Sequence, residues 1–411
     1  MTKVLTDVAV TRSQARPVRL TADQWFNQHL LIVGQTGSGK STTTVTLINA
    51  LMENDQTAIV IDPTGEYAHL PHAVVGKLGT NAFLDYRMLT ASQLASLAGI
   101  KDPAVIVLID QAITSLRVAN NVLHQKTPYQ KLGRPWSIYE RQVAQLHDFP
   151  RPYHIELLPT QLLEECVIPA VGKQADFALI GQQYDGKRQR ELGPALIAIR
   201  RLLATRAFQQ VFRLPMNAEE MRQRSAHTQL DVVYLMRLFA SVKASDRCLV
   251  VDVSALSQDL AAGALVVSIL AAQLLAIKQH PSAQQPVVLV VDEAHRYLTA
   301  AATKIGAFSE DGLSRIAREG RKVGLYLLLT TQSPLDLPVQ LLGEFGNLIV
   351  HRLTTTSELQ TLAMVPSLLI STIAHQEIGE ATLVGHAFAE PVPVYFKKTV
   401  IRHETASPRF D

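Results

Sequence analysis

The chain has 411 residues, 47% of them hydrophobic and 18% charged, which is enough apolar content for a large α/β core and too little charge for a disordered or fibrous protein. A net charge of +3 does not by itself argue for a polyanionic partner, although a locally basic channel could still hold phosphates. The only two cysteines, Cys166 and Cys248, stand in separate regions, so neither a disulfide framework nor a cysteine metal site is expected; that usage fits a reducing cytoplasm, as does a start without the apolar core of a secretory signal.

The first apolar run, HLLIVG (29–34), reads as a strand and passes into GQTGSGKS, Gly34 to Ser41. A helical pattern follows through Thr42–Met52, and TAIVID (57–62) is a second strand ended by Pro63 and Gly65, so the order is strand, loop, helix, strand. The loop fits G-x-x-x-x-G-K-[ST] throughout and has the right elements on both sides. Backbone N–H groups of Gly34, Gln35, Thr36, Gly37, Ser38 and Gly39, with Lys40, Ser41 and Thr42 at the helix start, are expected to cradle nucleotide phosphates. Lys40 would reach the β- and γ-phosphates of ATP, and the Ser41 hydroxyl would ligate Mg²⁺. IDPTGEY (61–67) has two readings. Asp62, Glu66 and Tyr67 lie near the nucleotide edge on the side of the first strand and orient water or a neighbouring subunit, or Asp62 merely caps a Pro-Gly turn.

From 85 to 245 the pattern is helical and more polar, with DGKRQRELG and IRRLLATRAF as basic segments; PWSIYERQ and HDFPRPYH read as its loops. Apolar strands resume at RCLVVDVSAL (247–256). Residues 260–277 carry no charge and are long enough to span a bilayer, but their alanine content and the strands on either side favour a buried helix against a parallel sheet. QPVVLVVDEAH (285–295) delivers Asp292 and Glu293 to the carboxyl end of a central strand, where α/β sheets bind ligands. Asp292 would complete the Mg²⁺ shell and Glu293 would act as general base on the attacking water. A helix near 308–322 carries Arg315, Arg318, Arg321 and Lys322. One of them, Arg321 first and Arg318 next, is a candidate to neutralise charge at a neighbouring subunit's site, the alternative for each being a solvated helix-face charge. GLYLLLTTQ (324–332) ends on Gln332, a candidate γ-phosphate sensor or an ordinary strand-end residue; NLIVHRL (347–353) and a strand pair in 379–396 close the sheet. The division is therefore 1–84 and 246–411 as two parts of one α/β domain with a mostly parallel sheet, and 85–245 as a helical insertion.

GQTGSGKS, IDPTGEY, VVDEAHRYL and IAREGRKVGLYLLLTTQSPLDLP, with RCLVVDVSAL and GEATLVG in the same order, resemble the HerA family of the HerA/FtsK group of P-loop motors over 28–75 and 247–396. The resemblance implies a RecA-like core, a hexameric ring hydrolysing ATP between subunits, and double-stranded DNA in the central channel. It also implies a nuclease or other effector as partner, in DNA processing or anti-phage defence; an NAD-consuming enzyme is a further candidate partner, and the buried-helix reading of 260–277 leaves no membrane anchor expected. Two departures stand out. Only 33 residues precede Gly34, too few for the family's N-terminal β-barrel, and the acidic pair is Asp-Glu where many members have two glutamates. A ring scaffold that regulates an effector enzyme, and a conjugation or secretion ATPase, are the alternative readings.

Overall fold

The computed structural model describes residues 4–5, 8–146, 152–214, 229–241, 247–298 and 312–396. They form two compact units, one from 1–83 with 227–411 and the other from 84–226.

The first unit is built on a ten-stranded sheet. In chain order its strands are β1 (Ala9–Thr11), β2 (His29–Val33), β3 (Thr57–Asp62), β4 (Ala73–Lys77) and β5 (Cys248–Asp252). The later ones are β6 (Val287–Val291), β7 (Leu325–Thr331), β8 (Phe345–Val350), β9 (Glu380–Gly385) and β10 (Val392–Phe396). Their spatial order is β1-β10-β9-β8-β2-β7-β6-β3-β5-β4. The seven strands from β8 to β4 are parallel. The three at the other edge are antiparallel. β2, β3, β5 and β6 are buried at every position, as strands covered on both faces must be. Two strands, β7 and β6, separate β2 from β3, so the IDPTGEY turn is not beside the first strand as the sequence suggested. The N-terminal segment, which carries no strand signal of its own, supplies the edge strand β1 against β10.

Helix α1 (Lys40–Glu53) follows β2, α2 is Val232–Ser241, α3 is Leu260–Gln279 and α4 is Gly312–Glu319. The boundary drawn at 245 needs correction, because α2 packs on α3 and belongs to the sheet unit. Of the helix expected near 308–322, residues 308–311 lie outside the described part. α3 has a mean hydropathy of 2.4 and is long and apolar enough to cross a membrane. Here it packs inside the unit, burying Val266, Val267, Leu270 and Leu274. Asp259 caps its first turn through Ala262 N–H at 3.0 Å. α4 lies so close to it that a Cβ on Gly312 would come 2.2 Å from the Ser268 carbonyl oxygen.

The second unit is mainly helical, with Pro103–Asn121, Trp136–Ala144, Leu158–Glu164 and Gly193–Ala204 as its longer pieces. PWSIYERQ is thus helix rather than loop. Pro135 at its N-cap is compatible with a helix start, and Tyr139 turns inward against Tyr129.

Candidate functional site

β2 ends in the glycine-rich loop, and α1 begins at Lys40, so the loop's N–H groups and the positive end of α1 converge on one spot. Two glycines are required sterically. A Cβ on Gly34 would sit 2.5 Å from the Cβ of His351, and Gly39 has φ +112 with the Gly379 nitrogen 3.1 Å from where its Cβ would be. Lys40 is buried and folds back over the loop, Nζ donating to Gly34 O at 2.6 Å and Gln35 O at 3.3 Å. Burial lowers its pKa, and the charges of Glu293 and Asp292 oppose that shift. Thr36 and Gly37 are exposed at the loop's tip, while Ser41 and Thr42 are half-buried in the first turn of α1.

The ends of β7 and β8 clamp the loop. Gly34 N–H donates to Thr331 O at 3.3 Å, Gln35 N–H to Arg352 O at 3.0 Å, and Gly379 N–H to Ser38 O at 3.0 Å. With its amide oxygen turned toward Arg352, Gln35 also accepts from that guanidinium at 2.7 and 3.0 Å. Behind the loop, His351 Nδ1 bonds Glu380 O at 2.8 Å, which puts the proton on Nδ1 and leaves Nε2 to accept from the Thr43 hydroxyl at 3.0 Å. Burial, with the Lys40 charge adding, pushes His351 down to about 4, so the ring is neutral.

Asp292 follows β6 and is 3% exposed. Its Oδ1 accepts from the Thr330 hydroxyl of β7. Burial raises its pKa to about 6; the Thr330 bond opposes this, and the charges of Glu293, Glu66 and Asp62 add to it. Glu293 adopts φ +48, a left-handed turn for a residue with a side chain, and its N–H donates to Thr330 Oγ1 at 2.9 Å. Gln332, at the end of β7, donates from Nε2 to both carboxylate oxygens of Glu293 at 3.1 and 3.2 Å, and its Oε1 accepts from Thr36 Oγ1 at 3.0 Å. Three adjacent strands, β2, β7 and β6, thereby bring loop, amide and carboxylate into one hydrogen-bonded row.

Other candidates fall elsewhere. Asp62 is engaged in its own turn, Oδ1 accepting from Thr64 N, Thr64 Oγ1 and Gly65 N, and Oδ2 from Tyr67 N at 2.9 Å. The capping reading describes it. Glu66 is half-buried within the field of Asp62 and Glu293, and its pKa is raised, chiefly by burial. Arg318 lies in the last turn of α4, and Arg321 sits in the turn leading into β7, donating to Gln28 Oε1 at 2.6 Å just before β2. Because β7 and β2 are parallel, that is the sheet edge opposite the loop. Neither arginine belongs to this chain's own loop site. His351, Thr330 and Gly379 were not singled out from sequence; the only signal was polar residues, TT and H, at the ends of otherwise apolar strands.

A family model described as "Helicase HerA, central domain" matches residues 9–137. The probable DNA double-strand break repair helicase HerA of Methanocaldococcus jannaschii is 25% identical, over 95% of this chain and 75% of that protein. The DNA double-strand break repair helicase HerA of Sulfolobus acidocaldarius is 23% identical over 91% of this chain and 65% of its own length. Among solved structures, VirB4 of Thermoanaerobacter pseudethanolicus matches with a TM-score of 0.62 at 14% identity, covering 96% of both chains. The bacterial conjugative coupling protein TrwBdeltaN70 matches at 0.56 and 12% identity, covering 96% of this chain and 90% of that one. These two likenesses establish the fold, a mixed α/β core with a mostly parallel sheet. The geometry of the loop site is that of a P-loop ATPase, and along nearly its whole sequence the chain is similar to the HerA helicases, whose central-domain model it matches over residues 9–137.

Proposed function

We propose that the chain is an ATP-driven motor acting on double-stranded DNA, with Lys40, Asp292, Glu293 and Gln332 at its hydrolytic centre. The observation that carries the hydrolytic part is the row linking Thr36, Gln332 and Glu293 across three strands, because it sets a carboxylate next to the loop that would hold the phosphates. The N–H groups of Gly34 to Ser41 and Lys40 would bind the phosphates of ATP, and Glu293 would accept the proton of the attacking water. Gln332 is the candidate contact to the γ-phosphate.

The residues fit a magnesium ion. Asp292 is a buried carboxylate whose pKa burial raises to about 6, a shift that a nearby cation would reverse, and Ser41 offers a second hard oxygen. No cluster of three or more acidic, histidine or cysteine side chains able to hold a metal occurs among the described residues. That suits an ion bound by one or two protein oxygens together with phosphates. When bound, Mg²⁺ would neutralise charge developing on the phosphates.

Assembly as a hexameric ring rests on the family resemblance, and the arginines bear on it only conditionally. Arg321 and Arg318 are at the edge opposite their own loop, so only a neighbouring subunit could offer either to a site. DNA as the load is supported by the relatives, which are named as DNA repair helicases. A nuclease or NAD-consuming partner and a role in antiviral defence rest on the family resemblance, and a cytoplasmic location rests on the cysteine usage. The test is ATP turnover of the purified assembly with and without duplex DNA. Stimulation of about tenfold or more, abolished by Lys40→Ala, is expected; an assembled ring whose turnover ignores DNA would contradict the motor reading.

A further inference from the structure

We infer that Thr36 and Gln332 are positioning residues for Glu293, forming a relay through which the tip of the phosphate loop sets the orientation of the carboxylate. This rests on the reading of Glu293 as the base for ATP hydrolysis. The backbone of Glu293 is fixed independently of its side chain, by the bond from its N–H to Thr330 Oγ1 and by the further bond from that hydroxyl to Asp292. Its carboxylate is held differently. Both oxygens accept from the single Nε2 of Gln332, and His295 Nδ1 lies 3.2 Å from Oε2.

An amide has a fixed polarity. With its NH₂ turned to an acceptor-only carboxylate, its oxygen must face away and needs a proton from its other side. Thr36 supplies that proton at 3.0 Å, from the exposed tip of the loop where nucleotide phosphates would arrive. A change in what the Thr36 hydroxyl contacts is therefore passed to the amide, and through the amide to the carboxylate. The relay leaves the loop's own cradle untouched, because residue 36 would contact phosphate through its backbone N–H rather than through its hydroxyl. Its loss should impair the chemical step and spare ATP binding.

The test is steady-state ATP hydrolysis by the full chain carrying Thr36→Val, Thr36→Ser, Gln332→Ala, or Thr36→Val with Gln332→Ala, with Glu293→Gln as reference and thermal unfolding as a check on each. Thr36→Val, which keeps the branched shape and removes the proton, is expected to lower kcat about tenfold with the KM for ATP within about twofold. Thr36→Ser recovers most of that loss. The double variant is no slower than Gln332→Ala alone, since members of one relay are not additive. Should Gln332→Ala fail to fold, Gln332→Glu, which sets two carboxylates against each other, takes its place in the cycle. Losses that multiply, an effect on KM alone, or failure of Thr36→Ser to recover activity would overturn the relay. The two readings separate cleanly. A Glu293→Gln enzyme with wild-type turnover removes the base assignment, whereas an inactive Glu293→Gln beside an unaltered Thr36→Val removes only the relay.

Discussion

In the sheet unit, Leu30, Ile32, Val60, Val250 and Val290 pack into one apolar cluster that also takes in Trp25 and α1. The inserted unit closes instead over Tyr129, Tyr139, Val118 and Ile180. Polar groups are knitted through that smaller core. Lys131 and Glu165 form a buried ion pair, and the Lys131 ammonium lies 4.5 Å from the centre of the Tyr139 ring. Gln161 accepts from Tyr129 N–H at 2.7 Å and donates to Glu165 Oε1 at 2.9 Å. An apolar sheet tolerates a lost contact by repacking, while a buried polar network fails when one member is left without its partner.

That contrast sets the largest expected effect on stability. Lys131→Met leaves the Glu165 carboxylate buried and unpaired and should cost the inserted unit about 3–5 kcal/mol. The two tryptophans make it readable, since Trp25 is fully buried in the sheet unit and Trp136 is 44% exposed in the insertion. Denaturant unfolding followed through Trp136, in a Trp25→Phe background, should show the loss. A shift below about 1 kcal/mol would mean that the ion pair adds little to that core.

The sheet unit should instead respond to pH. Its buried imidazoles, His29 and His351, have pKa values lowered by burial from 6.5 to about 4. His29 accepts from Leu327 N–H at 2.9 Å and donates to Ala317 O at 2.8 Å, so protonation removes an acceptor. As pH falls the unfolded chain takes up these protons first. The histidines' contribution to stability is therefore complete above about pH 6.5 and is lost toward pH 4, by about 2 kcal/mol per histidine at pH 5, and the raised carboxyl of Asp292 offsets only part of it. Unfolding followed through Trp25, with Trp136 replaced by Phe, should show this slope, and His29→Gln should flatten it; a midpoint equal at pH 7 and pH 5 would argue against both neutral rings. The smallest effect is expected at Arg321, whose side chain is exposed and bonded only to Gln28 among the contacts seen. Arg321→Ala should change stability by less than about 0.5 kcal/mol. ATP turnover should fall only at concentrations where subunits associate, and a fall at high dilution would place this arginine beside its own loop.

The same contrast governs how much could be read from sequence. β2, β3, β5, β6 and β7 were legible because a strand covered on both faces is a continuous apolar run, stopped by glycine or an acid in the first four and by Thr330, Thr331 and Gln332 in β7. The order of those strands was not, since any parallel neighbour would satisfy the same pattern. β1 was invisible: three residues near the start gain strand geometry only by pairing with β10 near the end. In the insertion, Trp136–Ala144 looked like a loop because its proline and aromatic residues suggested a turn, and only contact with Tyr129 reveals an inward face. The site divides in the same way. Lys40, Asp292, Glu293 and Gln332 lie in motifs or at strand ends, whereas His351 and Thr330 act through partners distant in sequence.

The most direct test of the hydrolytic centre is Glu293→Gln, measured for ATP binding and ATP turnover on the same preparation. Binding within about threefold of wild type with turnover reduced at least about 100-fold is the expected result, because the amide keeps the shape but cannot accept the proton of the attacking water. Turnover within tenfold of wild type would contradict the account and move the base away from the end of β6.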